Sequence, residues 1–141
     1  MMEQSRGIRN NNPGNIDYNK NNQWRGQIGI ETSSINPRFA RFDTPENGIR
    51  ALAKLLLNYQ RLHKLNTVRE IINRWAPPVE NITSAYVKAC ARALGVDQNE
   101  VVNLSDRRLL KLLTVAIIKH ENGSQPYSDF VLDTGISEAL K

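Results

Sequence analysis

One carboxyl in this sequence stands where acid chemistry is possible. A nearly continuous apolar stretch from Leu109 to Ile118 runs into His120-Glu-Asn-Gly123, and Gly123 suits the left-handed residue just beyond a helix end. Glu121 is thus expected where a core helix surfaces. Partial desolvation against the apolar helix and the negative end of the helix dipole both disfavour a carboxylate there. A carboxylic acid held protonated near neutral pH is what a glycosidic oxygen needs in order to leave. Glutamates are mostly solvated, so an exposed helix-end residue is the competing reading, and the surroundings of Glu121 decide between the two.

Those surroundings are polar and aromatic. The loop Glu121-Asn-Gly-Ser-Gln-Pro-Tyr127 offers Asn122 and Tyr127 beside the acid. The N-terminal part adds Asn11, Asn12, Asn15, Tyr18, Trp24 and Gln27. Amide side chains donate and accept at once, as sugar hydroxyl and N-acetyl groups require, and aromatic faces cover the apolar side of a pyranose. For any single asparagine of the run, plain turn chemistry is an equal alternative. A second carboxyl, for a base or a charge stabiliser, is sought at Glu31, at the end of a presumed hairpin strand, with Glu46 and Glu80 behind it; Glu46 also reads as favourable first-turn charge. Chemistry that releases an anhydro sugar, or uses the substrate's own N-acetyl group, needs one protein carboxyl only.

Other chemistries find little support. His63, His120 and Cys90 have no metal-ligand spacing, and there is no phosphate-cradling glycine loop or nucleophile elbow; no cofactor is expected. Cys90, within Ala85-Tyr-Val-Lys-Ala-Cys-Ala-Arg-Ala93, reads as a packed thiol. The chain has 141 residues, 40% of them hydrophobic, which fits one domain with one core and no need of a partner to bury it. Its start has no apolar leader and no segment approaches a membrane span, so synthesis in a bacterial cytoplasm is expected, with action in the periplasm or cell wall, or as part of a virion. The net charge of +5 suits nucleic acid, anionic lipid or anionic envelope polymers alike. Scattered arginines without a recognition-helix pattern rank nucleic acid last.

The elements that must position these residues follow from capping and periodicity. Residues 6–42, rich in Asn and Gly, read as a β and loop region, with a hairpin strand within Trp24–Glu31. Thr44 and Pro45 open a helix over 45–62. Thr67-Val-Arg-Glu70 is a capping box for a short helix that Pro77-Pro78 stops. Thr83 caps a third helix through Leu94, ended by Gly95, and Ser105 caps a fourth that is apolar nearly all round and so central. A short last helix spans Ser137 to Lys141. The expected fold class is α+β, mainly helical.

Five stretches carry a resemblance: Arg6-Gly-Ile-Arg-Asn-Asn-Asn-Pro-Gly-Asn-Ile16, Trp24-x-Gly-Gln27, Phe39-Ala-Arg-Phe42, Gly48-Ile-Arg-Ala-Leu52 and Arg74-Trp-Ala-Pro-Pro-Val-Glu-Asn-Ile-Thr83. Together they resemble a family of bacteriophage and prophage proteins, often described only as structural or virion proteins and taken to be lysozyme-like, murein-degrading domains. The chain is also similar to bacterial glucosaminidases and lytic transglycosylases, in which a helix ending in Glu-Ser-x-x-Gly precedes an Asn-rich Gly-Ile turn, a Trp-x-Gly hairpin, an aromatic pair and another helix. Here the Glu-bearing helix comes last, and Asn122 stands where those enzymes carry Ser. The resemblance implies a circularly permuted lysozyme-like fold with Glu121 as the acid; Glu3 is the alternative in the unpermuted order. The expected activity is cleavage of peptidoglycan glycan strands by a monomer not inserted in a membrane. The competing expectation is a non-catalytic phage virion or wall-binding protein on the same scaffold.

Overall fold

A computed structural model describes residues 4–32, 34–76 and 80–141. Among them the chain runs α1 (Arg6–Arg9), β1 (Gln27–Ile30), β2 (Ala40–Phe42), α2 (Pro45–His63), α3 (Val68–Trp75), α4 (Glu80–Leu94), α5 (Arg107–Asn122) and α6 (Asp129–Leu140). The strands form one antiparallel pair, Gln27 opposite Phe42 and Ile30 opposite Ala40, with an irregularity between Gln27 and Gly29. The class is therefore α+β and mainly helical, as expected.

Local chemistry accounts for most boundaries. The Thr44 hydroxyl accepts from the Asn47 N–H with Pro45 in the first turn, and Thr67 and Glu70 close a reciprocal capping box. Gly123 ends α5 at φ +76, where only glycine is free of the Cβ penalty. Four boundaries differ from the sequence expectation. One helical turn, α1, forms inside the region read as loop. The third helix starts at Glu80, so Thr83 lies within it, buried. The fourth is capped not by Ser105 but by Asp106, whose carboxylate accepts from the N–H groups of Arg108 and Leu109. The last helix is capped by Ser128, whose hydroxyl accepts from the Val131 N–H, and its 12 residues begin at Asp129. Thr134 and Gly135 lower its intrinsic propensity, and packing reverses that: Gly135 lies so close to α2 that a Cβ would come within 2.6 Å of Ile49 Cγ2. Pro77 and Pro78 lie outside the described residues.

The buried apolar residues form one cluster. Ile49, Leu52 and Leu56 of α2, Ile71 and Ile72 of α3, Cys90 of α4, Leu110, Leu113 and Ile117 of α5 and Ile136 of α6 are all fully buried. Helix α5 packs against α1, α2, α4 and α6, the central place its apolar circumference requires. Burial pushes the Cys90 thiol up to about 12, which makes it a packing group. None of the helices among the described residues is long and apolar enough to cross a membrane.

The asparagine turn rests on this frame. Asn11 and Asn15 both hold φ +51, a left-handed conformation that asparagine tolerates better than most residues. At Gly48 of α2 a Cβ would overlap the carbonyl oxygen of Asn11. The turn therefore lies directly on the α2 backbone, which only glycine permits.

Candidate functional site

The end of α5 meets the asparagine turn side chain by side chain. The Asn122 amide donates to the carbonyl oxygens of Pro13 (2.8 Å) and Ile118 (2.9 Å), and its oxygen accepts from the Ser5 hydroxyl (2.6 Å). One residue earlier, the half-buried Glu121 carboxyl accepts from Asn15 Nδ2 at Oε1 (3.3 Å) and from the Tyr86 hydroxyl at Oε2 (3.0 Å). Tyr86 is buried on α4 and accepts from the Trp75 indole N–H at 3.1 Å. The His120 ring stacks on the Tyr86 ring, with centroids 3.7 Å apart and planes 23° apart. Burial first, and the nearby Glu121 second, push the Tyr86 phenol far up, so it serves as a hydrogen-bond donor.

Glu121 opens onto a cleft of about 580 Å³ lined also by Asn15, Asp17, Asn22, Arg38, Phe39, Tyr59 and Trp75. Aromatic rings and amides face the same space as the carboxyl, the composition a polysaccharide groove needs. Among the described residues the other carboxyl lining it, Asp17, is paired with Arg38 (Nε to Oδ1, 2.6 Å) and exposed. Arg38 also lies over the Phe39 ring, 5.1 Å from its centroid.

The remaining residues singled out from the sequence lie elsewhere. Glu31 is 2% exposed and does not line the cleft. Its carboxylate accepts from Arg6, from Asn10 and from the N–H groups of Arg38 (2.9 Å) and Phe39 (2.8 Å). The Arg6 guanidinium foremost, against the opposing effect of burial, holds it at about 2. Glu31 is thus placed as an anchor joining α1 to the segment before β2, with its lone pairs committed. Asn12 is fully buried, donating to the carbonyls of Ile16 and Ala40 and accepting from the Ile16 N–H; it shapes the turn. Tyr18, Trp24 and Tyr127 pack against the core from partly buried positions. Tyr18 donates its backbone N–H to the Arg38 carbonyl, and burial pushes the Tyr127 phenol up to about 12. Gln27 donates to the Asn22 carbonyl from β1. Glu46 sits in the first turn of α2, the simpler of its two readings, while Glu3 and the side chain of Glu80 lie outside the described residues.

Of the named residues, then, the cleft brings together Glu121 and Asn15, with Asn122 clamping the helix end beside them. Sequence reasoning missed Trp75, Tyr86, Tyr59, Asp17 and Arg38. Trp75 and Tyr59 pack against the core from α3 and α2, and only their polar edges distinguish them from core residues. Tyr86 had a usable signal: among small neighbours it is the one large side chain with a hydroxyl, and a buried tyrosine hydroxyl finds a partner.

No protein-family model matches the chain. It is 38% identical over 130 residues to Protein P5 of Pseudoalteromonas phage PM2, covering 91% of this chain and 78% of that protein. Identity at this level over nearly the whole length places the chain in one family with that bacteriophage protein.

Proposed function

We propose that the cleft takes glycan strands of bacterial peptidoglycan and that Glu121 acts there as general acid and base. The observation that carries this reading is the Glu121 carboxyl, fixed by Tyr86 and Asn15 at the wall of a cleft lined by aromatics and amides. Protonated Glu121 gives its proton to the glycosidic oxygen as the C1–O bond breaks. Among the described residues Glu31 is committed to Arg6 and Asp17 to Arg38, so this reading uses Glu121 alone. The sugar's own C6 hydroxyl then closes on C1, returns a proton to Glu121 and leaves an anhydro sugar. The contact of the α5 end with the asparagine turn supports the circularly permuted, lysozyme-like arrangement, since it restores in space the order of elements that the chain reverses. The protein acts as a monomer, at the cell wall or from a virion.

A second reading is a non-catalytic phage virion or wall-binding protein on the same scaffold. Kinship with a phage protein and the commitment of Glu31 favour it. Mass spectrometry of muropeptides released from purified murein by the wild type and by Glu121→Gln separates the two, with each fold checked by circular dichroism. Under the cleavage reading the wild type releases products and Glu121→Gln loses about 10²- to 10⁴-fold in rate, the product masses showing whether anhydro sugars form. Tight binding to murein with no product from either protein would establish the second reading.

A further inference from the structure

The hydrogen bonds behind Glu121 fix which of its two oxygens can carry the proton. The Trp75 indole can only donate, and it donates to the Tyr86 oxygen (3.1 Å). The Tyr86 hydroxyl has one hydrogen, aimed at Glu121 Oε2 (3.0 Å). Were Oε2 itself protonated, two hydrogens would face each other between the residues. The phenol hydrogen would then need another acceptor, and Tyr86 is 3% exposed with no other acceptor for it among the described residues. The stacked His120 ring hinders a swing of the Tyr86 ring out of this line. At Oε1 the constraint is looser: its partner, the Asn15 amide, is 3.3 Å away, and Asn15 lines the cleft whereas Tyr86 does not.

We propose that Trp75 and Tyr86 are positioning residues that reserve Oε2 of Glu121 as an acceptor and leave the transferable proton on Oε1, towards the cleft. This rests on the reading of Glu121 as the acid, and adds to it the one-way relay from Trp75 through Tyr86. Trp75 has two duties, since its ring also lines the cleft, whereas Tyr86 acts only from behind. Tyr86→Phe therefore removes the relay while keeping the ring, its stacking and the cleft wall.

The protein carries its own reporter: of two tryptophans, Trp75 donates to the relay, and Trp24 has a buried indole N–H with no partner among the described residues. Two-dimensional ¹⁵N–¹H spectra thus contain two indole peaks, assigned by Trp24→Phe. The Trp75 peak is expected to move in both Tyr86→Phe and Glu121→Gln while the Trp24 peak stays. Steady-state cleavage of soluble murein fragments by Tyr86→Phe is expected to show kcat lowered about 10- to 100-fold with KM within about twofold. A Trp75 peak unmoved in Tyr86→Phe would overturn the relay whatever the activity. Peaks that move with kcat unchanged would overturn the positioning role and leave Glu121 as the acid. Peaks that move in the two variants, with a wild type that cleaves no murein, would overturn the acid reading, and the positioning role with it.

Discussion

Replacing Glu31 by glutamine tests whether one buried carboxylate ties α1 to the strand region. The side chain is 1% exposed. Oε1 accepts from Arg6 Nε and Asn10 Nδ2, and Oε2 from Arg6 Nη2 and the N–H groups of Arg38 and Phe39. Glutamine keeps the shape but turns one oxygen into a donor, so at least two donors lose their acceptor whichever way the amide is turned. Each polar group left unsatisfied costs about 1–3 kcal/mol. Arg6 is about one-third exposed and recovers part of that from water, so we expect a loss of about 3 kcal/mol at neutral pH, at the lower end of what breaking a buried pair costs. The pH dependence gives a second handle. The Arg6 guanidinium foremost, helped by the Phe39 and Arg38 N–H groups and Asn10, holds the carboxyl at about 2 against an ordinary 4.5. At roughly 1.4 kcal/mol per pKa unit this again corresponds to about 3 kcal/mol. Because the folded value is depressed, the stabilisation is complete above the ordinary value and drains away as pH falls towards 2. Urea unfolding of wild type and Glu31→Gln at neutral pH, about pH 5 and about pH 3 should show a gap that is full at the first two and narrows at the last. Equal stabilities at neutral pH, or curves that fall in parallel with acid, would refute the anchor.

Gly48→Ala should destabilise the protein by about 1–3 kcal/mol, because its Cβ would overlap the Asn11 carbonyl and lift the turn from α2; thermal unfolding measures this, and an unchanged midpoint would disprove the contact. The Cys90 thiol, fully buried and pushed up to about 12, should resist a disulfide reagent in the native protein and react at once in denaturant. Rapid native labelling would contradict its packing.

How much of this was legible in the sequence depends on where the information sits. Helix α2, the capping box of α3 and the Gly123 stop are local, since each needs only a cap, a period and a glycine within one turn. So was the position of Glu121 at the end of a central helix. Helix α6 was illegible beyond its last turn, because Thr134 and Gly135 argue against a helix locally and only their packing on α2 favours one. The asparagine run was ambiguous for the same reason: Asn10, Asn11, Asn12 and Asn15 are one residue type in one turn. Three serve the scaffold, bonding Glu31, the Phe42 carbonyl and the Ile16 and Ala40 carbonyls, and one reaches Glu121. Spacing could not separate them, because the difference lies in partners up to 106 residues away. Glu31 looked like a free carboxyl because nothing in the local pattern announces that Arg6, 25 residues earlier, will claim it.

That separation also governs when the site comes into being. The Glu121 carboxyl and the Asn15 amide that steadies it come from positions 106 apart, and the clamp beneath them joins Ser5 to Asn122 across 117. On a growing chain the asparagine turn, the hairpin and α2 to α4 are all synthesised before residue 121 exists, so the residues of the cleft wall precede the Glu121 carboxyl. Closing a loop of this length costs only slightly more than closing a short one, but such distant contacts make for slower folding. On the reading of Glu121 as the acid, the site is therefore complete only once α5 has been made and seats against the turn.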